Sequence, residues 1–139
     1  MAVNKNRNSI HTLKTTSVGW LAHRNIPNLS IGTGAAFTLQ VYVVLSDDTD
    51  GLLYAQDNGF SLKLVNGLPV FTMPGFGTLA ASSDWKLTSN SYVYIAVRHD
   101  NGTLTMFLNG LPIAETKVTP TTACTGGFTI GKGFPAAFL

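Results

Sequence analysis

The sequence contains few charged residues and only one cysteine. Asp, Glu, Lys and Arg make up 12% of the 139 residues, about half the share found in an average soluble protein. The net charge is +2 and the basic residues are scattered, apart from Lys5 and Arg7, so no basic patch for nucleic acid is expected. The single cysteine, Cys124, cannot form an intrachain disulfide. The fold must therefore hold by packing and hydrogen bonds alone.

Long apolar runs are also missing. No stretch approaches the ~18 apolar residues that span a bilayer, and residues 1–7 lead into polar sequence rather than the apolar region of a signal peptide. We therefore expect no membrane span. A surface rich in Thr, Ser, Asn and Gly with little charge is common among secreted and assembly-forming β proteins. An extracellular location, or the surface of a cell or particle, is the expectation.

Asn-Gly pairs between apolar runs are the clearest positive signal. Asn66-Gly67 and Asn109-Gly110 are each preceded and followed by such a run, and Asn58-Gly59 and Asn101-Gly102 lie in similar settings. Type I′ turns need two residues that tolerate positive φ, so this pattern predicts two-residue β-hairpins. The sequence is that of a mainly antiparallel β protein.

Apolar and polar residues alternate with period two over residues 37–45, which predicts the clearest strand. Further strands are predicted at 18–23, 52–56, 60–65, 68–73, 92–99, 103–108, 112–116 and 127–130. Residues 74–91 show no strand period and are predicted to form a long loop. The alternation directs one set of side chains into the core, namely Val93, Ile95, Val97, Leu104, Met106 and Leu108. It leaves Tyr92, Tyr94 and Arg98 on the opposite face.

Roughly nine short strands joined mainly by hairpins predict an all-β fold, an antiparallel jelly-roll β-sandwich of two sheets. A closed barrel is the alternative. The length suits one domain, which we place at residues 18–139. Residues 1–17 form either a polar N-terminal arm or a first strand.

The order of motifs resembles the laminin G-like and concanavalin A-like lectin/glucanase family. Residues 37–43 are similar to the family's F-T-v-e-a-W-v, with Tyr42 in place of Trp, and residues 92–110 are similar to its W-h-h-v-A-v-t-y-d-x-g-t-l-x-l-Y-v-D-G. Phe128 to Gly131 match its l-x-i-G strand. The resemblance implies a concanavalin A-like jelly roll. The family's closing strand is not matched, so we expect the N-terminal arm, a neighbouring chain or a longer protein to supply it.

Catalytic chemistry is not indicated. Glycosidases of this family carry a Glu-x-Asp-x-x-Glu strand, whereas Glu115 is the one glutamate here and no pair of carboxylates lies on a predicted strand. Cys124 has no histidine near it in the sequence to activate it. The three histidines are expected to be structural or exposed, with His99 ending a strand. We therefore expect no enzyme activity.

An acidic turn is the candidate metal site. Asp47, Asp48 and Asp50 offer carboxylates to a hard cation, and calcium prefers six to eight oxygen ligands. The alternative is an ordinary acidic hairpin turn.

Aromatic residues supply the candidate ligand site. Trp85, with Asp84 and Lys86 in the predicted loop, is suited to stack on a sugar, or else to close the end of the sandwich. Trp20, Tyr42, Tyr92 and Tyr94 are expected to pack against neighbouring strands. Alternatively, Tyr42 and Tyr94 share one sheet face with Arg98 and join the ligand site.

These features predict a non-catalytic binding module that recognises carbohydrate or a glycosylated partner through loops at the rim of the sandwich. The alternative is a structural or adhesion subunit that makes protein–protein contacts. In that case, exposed sheet edges would mediate self-association.

Overall fold

The computed structural model describes residues 21–23, 34–44, 50–57, 59–88, 92–118 and 126–130. These residues form ten β-strands and one short 3-10 turn, Ser83–Trp85. The strands are β1 (Leu21–His23), β2 (Phe37–Val44), β3 (Gly51–Gln56), β4 (Ser61–Val65), β5 (Leu68–Met73), β6 (Gly77–Ala80), β7 (Tyr92–Asp100), β8 (Thr103–Leu108), β9 (Leu111–Lys117) and β10 (Phe128–Ile130). In this part of the chain, no helix has the length and apolar character needed to cross a bilayer.

The strands form two sheets in which the registered neighbours are antiparallel. One sheet has six strands in the order β1-β10-β3-β4-β5-β6, and the other has four in the order β2-β7-β8-β9. Every strand pair with a defined register runs antiparallel. The predicted two-sheet antiparallel sandwich is therefore confirmed.

The predicted hairpin turns are present. Asn66, Asn101 and Asn109 have φ values of 51°, 46° and 50°, and the glycine after each is also positive. Two successive residues with positive φ are the requirement of a type I′ turn. These turns join β4 to β5, β7 to β8 and β8 to β9, and they hold each hairpin in the register that the alternation predicts.

The core lies between the two sheets. The residues predicted to point inward from β7 and β8 are all buried, with exposed fractions of 0–8%. They meet apolar side chains from the six-stranded sheet, including Leu62, Leu64, Phe71 and Met73, which are 0–2% exposed. Phe37 of β2 stacks on Phe60 with ring centroids 5.6 Å apart. Burial of these side chains supplies the main driving force for holding the sheets together.

His99 is structural, in agreement with one of the two expectations for the histidines, but it does more than end a strand. It is 2% exposed, and its Nδ1 and Nε2 lie 2.9 Å from the Ala35 carbonyl oxygen and 3.1 Å from that of Val118. Ala35 precedes β2 and Val118 follows β9, so this one side chain connects both edge strands of the four-stranded sheet. Its ring also packs against that of Phe37, at 5.8 Å.

The prediction of one long loop over residues 74–91 is wrong in part. Residues 77–80 form β6, which pairs with β5 and buries Leu79. β6 has four residues, and its first two are both exposed. The alternation of apolar and polar residues is therefore too short to be recognised in the sequence. The following residues make the 3-10 turn, after which the Leu87 N–H donates to the Gly67 carbonyl at 2.8 Å.

Several sequence predictions lie outside the described residues. They concern the arm at residues 1–17, Trp20, the acidic residues Asp47 and Asp48, and Cys124. The extent of the domain and the source of a closing strand stay predictions.

We expect the two Asn-Gly glycines to differ in their tolerance of alanine. A Cβ added at Gly110, where φ is 86°, would meet open space, whereas a Cβ at Gly67 would lie 2.5 Å from the Leu87 carbonyl oxygen. Gly110→Ala should cost about 1 kcal/mol of unfolding free energy for the left-handed backbone alone. Gly67→Ala should cost about 2–4 kcal/mol, because Leu87 must also move. Urea denaturation of both variants measures this, and equal losses would contradict the crowding at Gly67.

A second stability prediction concerns His99. His99→Phe keeps an aromatic ring beside Phe37 but removes both ring nitrogens, so the carbonyl of Ala35 or Val118 that accepts the ring N–H loses its donor. A buried acceptor left without a donor costs about 1–3 kcal/mol, and we expect a loss of that size. Thr38→Val, an exposed change on the adjoining strand, is the control and should stay within about 0.5 kcal/mol. A His99→Phe variant as stable as that control would show that the bridge contributes nothing.

Candidate functional site

The outward face of the four-stranded sheet carries three neighbouring tyrosines. Tyr42 of β2 lies opposite Tyr94 of β7, and Val44 lies opposite Tyr92. Because strand side chains alternate between faces, the alternation that buries Val93 and Ile95 places Tyr92 and Tyr94 on the outer face. Tyr42, Tyr92 and Tyr94 are called the tyrosine patch below.

The tyrosine patch is largely open to solvent. Tyr42 and Tyr92 are 66% and 65% exposed, and Tyr94 is half-buried. The rings of Tyr42 and Tyr92 meet edge to face with centroids 5.1 Å apart, and Tyr42 lies 6.2 Å from Tyr94. Three contacting rings whose faces remain partly free offer an apolar platform with polar hydroxyl tips.

Asn109 fixes the backbone beneath this patch. Its N–H donates to the Tyr94 carbonyl at 2.7 Å, and its side-chain Oδ1 accepts from the Tyr94 N–H at 2.9 Å. The β8–β9 turn therefore closes on the strand that carries two of the three tyrosines. A turn residue suited to positive φ also positions the candidate site.

Polar residues occupy the other end of the same face. Arg98 lies between Thr38 of β2 and Thr105 of β8 in the sheet register. Its guanidinium carbon is 5.3 Å from the centroid of the Phe107 ring, a cation–π arrangement that restrains the long side chain. Thr105 donates from Oγ1 to Glu115 Oε2 at 3.3 Å. Across the four strands, this row therefore presents a hydroxyl, a cation, a second hydroxyl and a carboxylate, from Thr38, Arg98, Thr105 and Glu115.

A shallow depression of about 290 Å³ lies at this polar end. Its lining consists of Ala36, Phe37, Thr38, Arg98, His99 and Asp100. Thr38, Arg98 and Asp100 are exposed, so their hydroxyl, guanidinium and carboxylate groups are available to a ligand. The volume is near the lower limit for small-molecule sites.

The predicted loop site around Trp85 lies elsewhere. Trp85 is half-buried and packs against the core, as the alternative expectation of an end plug describes. Asp84 and Lys86 on either side are exposed. The chain then reaches Leu87, which is bonded to the β4–β5 turn at Gly67.

Asp50, the described member of the predicted metal site, also contacts this turn. Its Oδ1 accepts a hydrogen bond from the Asn66 N–H, so one carboxylate oxygen stabilises the hairpin. Within the described residues, no three His, Cys, Asp or Glu side chains gather as a metal cluster. Calcium binding, which also involves Asp47 and Asp48, stays a prediction.

The structure thus distributes the predicted ligand residues over two places. Asp84, Trp85 and Lys86 lie beside the β4–β5 turn of the six-stranded sheet, together with Asp50. Tyr42, Tyr94 and Arg98 share the outer face of the other sheet, as one of the alternatives proposed.

Tyr92 completes the patch, although the sequence predicts only the face on which it lies. As expected, Tyr42 packs against Tyr92 and Tyr94 of the neighbouring strand, although Tyr42 and Tyr92 each leave about two thirds of their surface exposed. The sequence signal for including Tyr92 is its position two residues before Tyr94 on the same outward face.

Comparison with protein families agrees with the strand order and sheet arrangement. The family model for the concanavalin A-like lectin/glucanases superfamily, of the laminin G type, matches residues 19–138. The chain belongs to this superfamily. The resemblance seen in the sequence is thereby confirmed. No relative among curated proteins matches significantly.

Two solved structures share the fold of this superfamily member. Domains LG4-5 of the mouse laminin alpha1 chain match with a TM-score of 0.50 and 12% identity, over 71% of this chain and 31% of that chain. The carbohydrate-binding module CBM66 from Bacillus subtilis matches with a TM-score of 0.50 and 10% identity, over 80% of this chain and 74% of that one. The chain therefore spans about a third of the laminin fragment. Identities this low show the fold alone.

Removing the Asp50 carboxylate should loosen the β4–β5 hairpin. Asp50→Ala leaves the Asn66 N–H without this acceptor and should cost about 1 kcal/mol, whereas Asp50→Asn keeps a side-chain oxygen and should cost less. Asp84→Ala, an exposed aspartate near the same turn, is the control. Urea denaturation with chelator present separates this effect from any metal. If the three variants were equally stable, Asp50 would not support the turn.

Proposed function

We propose that this protein is a non-catalytic carbohydrate-binding module whose ligand rests on the tyrosine patch. The observation that carries the proposal is the exposure of Tyr42 and Tyr92, 66% and 65%, while their rings contact each other at 5.1 Å. Contiguous exposed apolar groups are a feature of binding surfaces, whereas single exposed apolar residues are ordinary.

The chemistry of a tyrosine platform suits a sugar ring. The apolar C–H face of a pyranose can lie against an aromatic ring, while its hydroxyl groups hydrogen-bond to polar groups at the periphery. The phenolic groups of the patch and the exposed Gln40, one row further along β2, supply such polar groups. The ligand would gain from burial of rings that are otherwise exposed to water.

The fold supports this class of function in general terms. The CBM66 neighbour is by name a carbohydrate-binding module, so a jelly roll of this kind accommodates carbohydrate. The superfamily also includes glucanases, which makes the carboxylates relevant. The sequence has a single glutamate, Glu115, and lacks the Glu-x-Asp-x-x-Glu strand that the resemblance implies for glycosidases of this family, which favours binding without catalysis.

Self-association is the second candidate, favoured by the edge strand β2. Among the described residues it pairs with β7 alone, and its eight residues include neither proline nor charge. Such an edge accepts another strand readily. Sedimentation velocity over a range of protein concentrations tests it, and a chain that stays monomeric at high concentration would eliminate it.

The test of the carbohydrate proposal is a glycan array followed by calorimetry on the best ligand. We expect Tyr42→Ala/Tyr92→Ala to weaken that ligand by at least about fivefold, because two aromatic contacts at about 0.5–1.5 kcal/mol each are lost. Val65→Ala, which truncates an exposed apolar residue on the six-stranded sheet, is the matched control and should bind as the unaltered protein does.

Each outcome of this experiment has a distinct meaning. Loss of binding in the tyrosine variant, with its melting temperature preserved, would support the tyrosine platform. Unchanged binding would shift the site to the turn around Trp85, particularly if chelator also abolished binding. No glycan bound in calcium or in chelator would eliminate the carbohydrate proposal and favour the assembly role.

A further inference from the structure

The outer face of the four-stranded sheet has a second group of ligand-accessible side chains beyond the tyrosines. We propose, on the basis of the proposed function, that the ligand is an uncharged linear oligosaccharide lying along β7. One end rests on the tyrosine patch, and the other is hydrogen-bonded by Thr38, Arg98 and Asp100. We call this band, from Tyr92 to Asp100, the β7 strip.

The length of the strip indicates a chain rather than a single sugar. Tyr92, Tyr94, Ala96, Arg98 and Asp100 all face outward on one continuous strand. Eight residue steps in an antiparallel strand extend about 27 Å. Groups suited to sugar occur at both ends of that length, so a monosaccharide could contact only one of them.

The middle of the strip is covered by the side chains that flank it. Ala96 faces outward but is 6% exposed, and Thr105 is 5% exposed. The register places the exposed Gln40 on one side of Ala96 and the half-buried Phe107 on the other. A ligand that runs along β7 would therefore pass over Gln40 and Phe107 between the tyrosine patch and the polar end.

The polar end matches the hydroxyl groups of a sugar. Arg98 offers several N–H donors, Asp100 offers acceptors, and the Thr38 hydroxyl does both. All three line the depression of about 290 Å³, which is large enough for a small part of a ligand only. The stacking of Arg98 on Phe107 restrains the guanidinium before binding, which lowers the entropy lost when it hydrogen-bonds.

The charge balance of the face favours a neutral ligand. Arg98 and Lys117 are exposed on it, and so are Asp100 and Glu115. The register places Glu115 in the row of Arg98, and Lys117 in the row of Asp100. Each row therefore holds one charge of each sign, so the described residues of this face give no net charge with which to select an acidic glycan.

The experiment measures affinity against ligand length by calorimetry. The probes are neutral oligosaccharides, β-1,4-linked and β-1,3-linked glucose and β-1,4-linked mannose, each from the disaccharide to the octasaccharide. Oligogalacturonates of the same lengths are the acidic comparison. We expect the affinity of one neutral series to rise with length until the ligand spans the strip, and the acidic series to bind less tightly.

Variants at the two ends should respond differently to length. Arg98→Met keeps an aliphatic stem over Phe107 but removes every guanidinium donor, and it should weaken the octasaccharide about tenfold. It should leave the disaccharide unchanged, whereas Tyr42→Ala/Tyr92→Ala should weaken both. Lys117→Met, on the same face but two strands away from β7, is the matched control and should weaken neither.

The outcomes separate this inference from the proposed function. Binding that depends on the tyrosines but not on length or on Arg98 would overturn the extended ligand and leave the carbohydrate proposal standing. Tighter binding of oligogalacturonates would overturn the neutral ligand. Failure of every oligosaccharide in this panel, with a ligand still found on the glycan array, would overturn the extended neutral ligand alone, whereas failure on the array as well would overturn both proposals.

Discussion

The register of the hairpins is the constraint on which the rest of the structure depends. Asn66, Asn101 and Asn109 each begin a two-residue turn with positive φ, and such turns allow one pairing of the flanking strands. A shift by one residue would exchange the two faces of a strand, placing Val93 and Ile95 in water and Tyr92 and Tyr94 in the core. The buried face and the exposed tyrosine patch therefore have one common cause.

The two ends of the four-stranded sheet are secured by different means. At one end, Asn109 makes two hydrogen bonds to the Tyr94 backbone. At the other, His99 reaches carbonyl groups beside β2 and β9, so both edge strands are held to the central strand β7. The strand that carries the ligand-accessible side chains of β7 is therefore held at both ends. Side chains on a strand held in this way lose little conformational entropy when a ligand binds. The same residues that stabilise the sheet thereby preorganise its outer surface.

Alternation and turn chemistry are sufficient to predict most strands, the inward residues of β7 and β8, and the sandwich itself. The four-residue strand β6 is not predicted, because it has no clear local pattern and forms only by pairing with β5. The exposure of Tyr92 is not predicted for a related reason. Alternation assigns Tyr92 to the outer face, but it does not say whether other parts of the chain cover that face. The ring nitrogens of His99 lie beside carbonyl oxygens 64 and 19 residues away in the chain, separations at which no sequence period gives a signal. Trp85 shows the opposite case. Its charged neighbours in the sequence suggest an exposed side chain, but its ring packs on the core.

The most direct test of the account is an NMR titration of protein labelled in its tyrosine rings with the tightest-binding neutral oligosaccharide. The protein has four tyrosines, and the fourth, Tyr54, stacks on Phe60 and Phe128 in the six-stranded sheet. We predict saturable shifts for the ring signals of Tyr42, Tyr92 and Tyr94, while those of Tyr54 stay unchanged. Binding detected by calorimetry without any shift in the three patch tyrosines would contradict the assignment of the site to this face.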